Sequence, residues 1–580
     1  MRKVVVVGGG LAGLMATLKL VEAGVSVDLV SLVPVKRSHS VCAQGGINGA
    51  VNTKGEGDSP WQHFMDTIYA GDFLANQPPV LRMCEAAPGI IHLLDRMGVM
   101  FNRTAEGLLD FRLFGGTKFR RTAFAGATTG QQLLNACDEQ VRRYEAEGTV
   151  IKYEGWDFLC AALDDTGICR GIVAQDLKSM EIRAFPADAV IIASGGSGMV
   201  FGKSTNSTIN TGAAAGAVYR QGAYYANGEF IQIHPTAIPG EDKLRLMSES
   251  ARGEGGRIWT YKEGKPWYFL EEWYPAYGNL VPRDIASRAI FKVCTEMKLG
   301  IDGENTVYLD LSHLSNDELT VKLSGILETY AKFIGEDPYR QPMKIFPAVH
   351  YSMGGLWVDF QQMTNIPGLF AAGECDYQYH GANRLGANSL LSAIYGGMVA
   401  GSGSLNYIEG LTRTSADLPK HILAREVTRQ QERFKNIVNL HGRENPYRLH
   451  QELGEIMTKN VTVVRYNAKL KETDGKIQEL MQRYQNINVN DSVQWSSQVL
   501  QFTRQLWDML ELARVITRGA LQRNESRGAH YKPDFPERDD LNWLKTTKAR
   551  WSAAGPKFTY EAVDTSLLKP RPRRYDVEEK

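Results

Sequence analysis

The sequence predicts an α/β protein of several domains, and three observations carry that expectation. The chain opens on a strand, a glycine turn, a helix and a second strand. Two later apolar runs, one ending in glycines and one in a carboxylate, look like strands returning to the first sheet. Beyond about residue 410 glycine becomes sparse and charged residues alternate with apolar ones at helical spacing.

Val4 to Val7 reads as a short β-branched strand, buried on both faces. Gly8-Gly9-Gly10-Leu11-Ala12-Gly13 follows and opens a helix with Leu14, Leu18 and Val21 on one face, stopped at Gly24. Val25 to Val30 is the second strand. In that context G-x-G-x-x-G is a specific signal for a Rossmann-like dinucleotide fold. Gly8 allows the tight turn, Gly10 lets the backbone approach a pyrophosphate, and Gly13 lets helix and strand pack closely. The acid that usually ends the second strand and binds ribose is missing; Ser31 stands near that point, with Asp28 inside the strand. This weakens a reading of NAD more than one of FAD.

Ala187 to Gly198 and Ile366 to Glu374 are the returning strands, the second ending in a carboxylate suited to ribose. Asn388, Ser389 and Leu390 open the next helix and bring backbone N–H groups toward the cofactor. The expected organisation is a nucleotide-binding part at residues 1–237 and 347–410, interrupted by an α+β capping domain at 238–346. A helical domain at 411–530, including a helix from Tyr466 to Tyr484, and an extended C-terminal segment at 531–580 complete it.

Composition excludes several classes. With 66 basic and 65 acidic residues the chain has no global claim on nucleic acid. The 7 cysteines are scattered and form no C-x-x-C pair, which argues against a disulfide framework, a zinc site or an iron–sulfur cluster in this chain. No metal site is expected, and a reduced cytoplasmic compartment is the simpler reading. Arg2-Lys3 before an apolar run imitates a signal peptide, but Gly8, Gly9, Gly10 and Gly13 break the run. No apolar stretch reaches the roughly 18 residues of a membrane span.

The loop Lys36-Arg37-Ser38-His39-Ser40-Val41-Cys42-Ala43-Gln44-Gly45-Gly46 holds a lone histidine just after the nucleotide signature. Position alone leaves it either a satisfied loop imidazole or a nucleophilic ring nitrogen beside a redox cofactor. The run closely resembles the flavin-attachment loop of the succinate dehydrogenase and quinol:fumarate reductase flavoprotein subunits. The resemblance implies FAD bonded covalently to His39, with Arg37, Ser38, Gln44, Gly45 and Gly46 around it and Glu374 on the ribose. It also implies a Rossmann-like FAD-binding domain with the capping domain inserted. Ala213 departs from the family, where aspartate is common.

Five further motifs match the same family: Gln232-Ile233-His234-Pro235-Thr236, Ser248-Glu249-Ser250-Ala251-Arg252-Gly253-Glu254-Gly255-Gly256, Pro282-Arg283-Asp284, His350-Tyr351-Ser352-Met353-Gly354-Gly355 and His380-Gly381-Ala382-Asn383-Arg384-Leu385-Gly386. Oxidising a saturated dicarboxylate requires clamping two carboxylates, for which Arg384 offers a fork and His234, Ser248 and His350 offer donors. The resemblance places all four on succinate or fumarate; threonine is commoner than serine at position 248. It assigns the proton to Arg283, with Glu249 and Arg252 leading to solvent. It implies an iron–sulfur partner subunit and a cytochrome b-type membrane anchor, and so a peripheral position on the cytoplasmic face of the cell membrane. The alternatives are fumarate reduction in the reverse direction, which Gln44 disfavours slightly, and L-aspartate oxidase, which lacks the linking histidine. A soluble fumarate reductase would carry extra modules, and a flavin-binding scaffold without chemistry would not need Arg283 and the clamp.

Overall fold

The computed structural model describes residues 2–240, 244–418, 420–490 and 496–576. Short stretches of the expected capping, helical and C-terminal segments, including the last 4 residues, therefore lie outside the described residues.

A five-stranded parallel sheet organises the molecule. Its strands are β1 (Lys3–Val7), β2 (Ser26–Ser31), β3 (Val150–Glu154), β4 (Ala189–Ile192) and β5 (Leu369–Ala371), in the order β5-β4-β1-β2-β3. Both returning strands expected from sequence are thus present, on one side of β1. Side chains alternate between the faces of a strand, and β1 shows the result. Val4 and Val6 join a core built with helix α1 (Leu11–Glu22) and helix α2 (Asn388–Glu409). Val5 and Val7 join a second core that runs on into Leu449, Leu470 and Leu506 of the long helices near the C-terminus. The helical segment therefore shares its core with one face of the nucleotide sheet. The helix expected from Tyr466 to Tyr484 spans Asn467–Tyr484.

A six-stranded antiparallel sheet lies beside this body. Its second and third strands, Ile231–Ile238 and Met343–Ser352, are paired and contain positions 237/238 and 346/347, where the capping segment is expected to begin and end. The helix Arg283–Phe291 packs on the first of them, with Ser287 Oγ donating to Ile233 O at 3.0 Å.

The C-terminal segment corrects the expectation of a tail laid extended over the surface. Lys545–Arg550 and Lys557–Ala562 form an antiparallel hairpin that extends a sheet begun by Tyr225–Ala226. Lys532, Ala549 and Tyr575 are buried. Among the described residues no helix is long and apolar enough to cross a membrane.

Candidate active site

One cleft of about 600 Å³ runs from the glycine turn to the antiparallel sheet. At its first end Gly8 takes φ 117°, and a Cβ on Gly13 would lie 1.9 Å from Gly8 O. The turn and α1 therefore close on each other as the motif requires, presenting the helix N-terminus to an anion. Leu11 N–H at that N-terminus donates to Ser40 Oγ at 3.2 Å. Ser31 lines the cleft, but its hydroxyl is spent on Val33 O at 2.5 Å. Asp28 is paired with Lys3 at 2.6 Å and takes no part. Glu374 lines the floor, where Oε1 accepts from Ser352 N–H at 3.0 Å. Burial pushes its carboxyl up to about 7.

The histidine loop passes along the middle of the cleft. His39 lines it, with Ser207 N–H donating to Nδ1 at 3.1 Å and the Asn206 amide 3.1 Å from Nε2. Ser38, Gln44, Gly45 and Gly46 line it too, as do Ser389 and Leu390 at the start of α2. Three expected cofactor residues do not. Arg37 is exposed. Gly13 acts only through packing. Asn388 turns inward, binding Asn48 Nδ2 at 2.7 Å and Thr67 Oγ1 at 3.0 Å, while its N–H donates to Leu385 O.

At the far end lie His234, Ser248, Glu249, Arg283, His350 and Arg384. Thr236 N–H donates to His234 Nδ1 at 3.2 Å, which assigns the ring proton to Nε2. Burial, Arg283 and the neighbouring His350 hold His234 well below the usual histidine range, so the ring is a neutral donor. The His350 ring stands 4.8 Å from it, edge to face, and binds Thr205 Oγ1 at 2.7 Å. Arg384 lies over the Tyr351 ring at 4.4 Å. Burial and the facing Arg283 lower its guanidinium to about 9.

Glu249 joins the remaining charges. Its Oε2 accepts from Arg283 Nε at 2.7 Å, and its Oε1 accepts from Arg252 Nη2 at 2.8 Å and Gly115 N–H at 3.0 Å. Burial pushes this carboxyl up, but Arg283 and Arg252 outweigh it and hold it below the usual range. Arg252 lies behind Glu249, outside the cleft, donating to the carbonyls of Asn279 and Val281. Gln232 was not singled out from sequence, yet its Oε1 accepts from Arg283 Nη1 at 2.9 Å and its Nε2 donates to Arg384 O at 2.8 Å. It sits two residues before His234 inside a quoted motif, which was the available signal. Tyr351, Thr205, Asn206 and Ser207 were likewise missed.

Comparison with known proteins decides the family. Residues 3–390 match the FAD binding domain model, and residues 450–575 match the fumarate reductase flavoprotein C-terminal model. The succinate dehydrogenase flavoprotein subunit of Bacillus subtilis is 70% identical over 574 residues, 99% of this chain and 98% of that protein. The chain belongs to the succinate dehydrogenase and fumarate reductase flavoprotein family. The fumarate reductase flavoprotein subunit of Haemophilus influenzae is 34% identical, covering 99% of this chain and 96% of that one. A mutant of Escherichia coli quinol fumarate reductase FrdA superposes with a TM-score of 0.93 at 31% identity, all of both chains being covered. The family cofactor is FAD, and the cleft fits it. Besides the glycine cradle, Ser38 Oγ and Gln44 Oε1 are buried in the cleft with no hydrogen-bond partner among the described residues. His234 Nε2 and Arg384 Nε, buried at the far end, are in the same condition.

Proposed function

We propose that this chain is the flavoprotein subunit of a succinate:quinone oxidoreductase, oxidising succinate to fumarate. Bound at the glycine cradle, FAD would supply the acceptor for the hydride leaving one methylene carbon. Arg384 grips a carboxylate with its fork, and His234 Nε2–H, Ser248 and His350 supply the remaining donors. Arg283 gives a proton to Glu249 and takes one from the neighbouring methylene carbon, which restores its charge; Glu249 then gives its proton to Arg252 as Arg252 releases one of its own toward solvent. The observation that carries this reading is the buried Arg283–Glu249–Arg252 chain opening on the cleft beside the dicarboxylate clamp.

Covalent attachment of FAD at His39 belongs to the same proposal, as do the roles of the cofactor residues and the division into an FAD-binding domain, cap, helical domain and C-terminal segment. So do an iron–sulfur subunit, a cytochrome b-type membrane anchor and a peripheral position on the cytoplasmic face. Relatives support the assembly: Mycobacterium smegmatis Sdh1 in complex with UQ1 superposes with a TM-score of 0.83 at 29% identity, covering 99% of this chain and 96% of that one.

The test is a single turnover of the purified, flavin-loaded chain. Succinate should bleach the flavin and L-aspartate should not; faster bleaching by L-aspartate would overturn the substrate assignment. The lone chain should pass electrons to an artificial dye but not to quinone. Acid-precipitated protein should keep yellow colour on the peptide containing His39. His39→Ser should retain FAD without the bond and lose succinate oxidation more than fumarate reduction.

A further inference from the structure

Arg112 lies on the strand Phe111–Arg112, whose small sheet also holds Ile47–Asn48, the stretch immediately after the histidine loop. Its side chain is fully buried, packed 3.4 Å from the centre of the Phe124 ring. One guanidinium nitrogen, Nη2, donates to Gly126 O at 3.0 Å, and the other, Nη1, donates to Ser250 Oγ. Ser250 Oγ stands 2.9 Å from Ser248 Oγ, and Ser250 N–H also points at Ser248 Oγ, at 3.3 Å. Both serines are buried, and Ser248 faces the cleft.

The direction of this chain follows from its first member. A guanidinium can only donate, so Ser250 Oγ is an acceptor toward Arg112. Accepting from a cation makes the Ser250 O–H a stronger donor, and its neighbour for that proton is Ser248 Oγ. Ser248 Oγ then accepts from both the O–H and the N–H of Ser250. Its own proton is left to point toward the cleft. Arg112 stays charged at neutral pH, since burial lowers its guanidinium only to about 10, with Glu254 and Asp110 opposing the shift.

We propose that Arg112 and Ser250 are positioning residues that orient the Ser248 hydroxyl as a donor to a dicarboxylate oxygen. The inference rests on the reading of Ser248 as a substrate residue. It also ties the donor to the seating of the inserted segment. Arg112 belongs to the body and the serines to the insertion, so Ser248 is oriented only when the two are pressed together.

A double-mutant cycle on the flavin-loaded protein tests this, with malonate binding read from the flavin absorbance. Ser248→Ala should weaken malonate binding by about tenfold or more, the usual scale for a hydrogen bond to a charged group. Ser250→Ala should weaken it by about three- to tenfold, and Ser250→Thr, which keeps a hydroxyl, should restore most of that loss. The pair together should cost no more than Ser248→Ala alone, because Ser250 acts through Ser248. Losses that simply multiply, or a Ser250→Ala variant that binds normally, would overturn the relay. A Ser248→Ala variant that binds malonate normally would overturn the reading of Ser248 itself.

Discussion

The two ends of the cleft are built from different materials. The cofactor end is made of backbone: a glycine turn, a helix N-terminus, and serines whose hydroxyls are partly spent on neighbours. The other end is made of buried charge, with Arg283 and Arg384 in the cleft and Arg252 behind it, all around the carboxylate of Glu249. Steric change should therefore break the first end and leave the second to electrostatics. The two carboxylates make the contrast sharper. Glu374 is desolvated without a strong ion pair and pushed up to about 7, whereas Glu249 is equally desolvated but held down by the guanidinium groups of Arg283, Arg252 and Arg384.

The largest effect expected is at the turn. Gly13→Val would drive side-chain atoms into Gly8 O, already 1.9 Å from a Cβ, so the protein should be recovered without flavin. Ser31→Ala, which removes a hydroxyl bound to Val33 O, should keep its flavin; the ratio of flavin to protein absorbance distinguishes them. Next comes Arg283→Lys, expected to cut kcat by about 10²–10⁴ while malonate still binds, because lysine lacks the planar fork. Normal flavin reduction with poor binding would make Arg283 a clamp residue instead. Third, Glu249→Ala strands Arg283 and Arg252 as buried cations and should lower unfolding stability by about 3–5 kcal/mol in urea titrations. Glu374→Gln should be far milder, since that site already tolerates a neutral carboxyl near pH 7. The smallest effect is on pH dependence. On the proposed function Arg384 binds the dianion only when charged, and burial with the facing Arg283 lowers its guanidinium to about 9. kcat/KM for succinate should therefore fall as pH rises past about 9, by about tenfold per unit, with no matching limb from His234, which remains neutral throughout.

How much of this was legible in sequence follows the same division. The glycine turn is local, so six residues of spacing sufficed to expect its geometry. The motif residues at the substrate end were found as types, but their couplings were not. Arg283 meets Gln232 across 51 positions, and His39 meets Asn206 and Ser207 across 167 and 168. No periodicity links such pairs, since each depends on where separate strands and turns are brought together. Arg37 was expected on the cofactor through its motif, yet it faces solvent while its neighbour Ser38 faces inward. The C-terminal hairpin was hidden for a related reason. Tyr225–Ala226, the partner that makes Lys545–Arg550 an inner strand of its sheet, lies more than 300 residues earlier.

The paired strands Ile231–Ile238 and Met343–Ser352 carry His234 and His350, with ring centres 4.8 Å apart. The ladder breaks register at both residues, opposite His350 between Gln232 and Ile233 and again just after His234, with paired residues flanking each break. Arg384 sits on a different stretch of chain, against Tyr351. Tyr351 and Gln232, which hold the Arg384 side chain and carbonyl, lie on those same two strands, so all three groups share one frame. On the proposed function, that common frame gauges the length of a diacid without any residue having to clash with it.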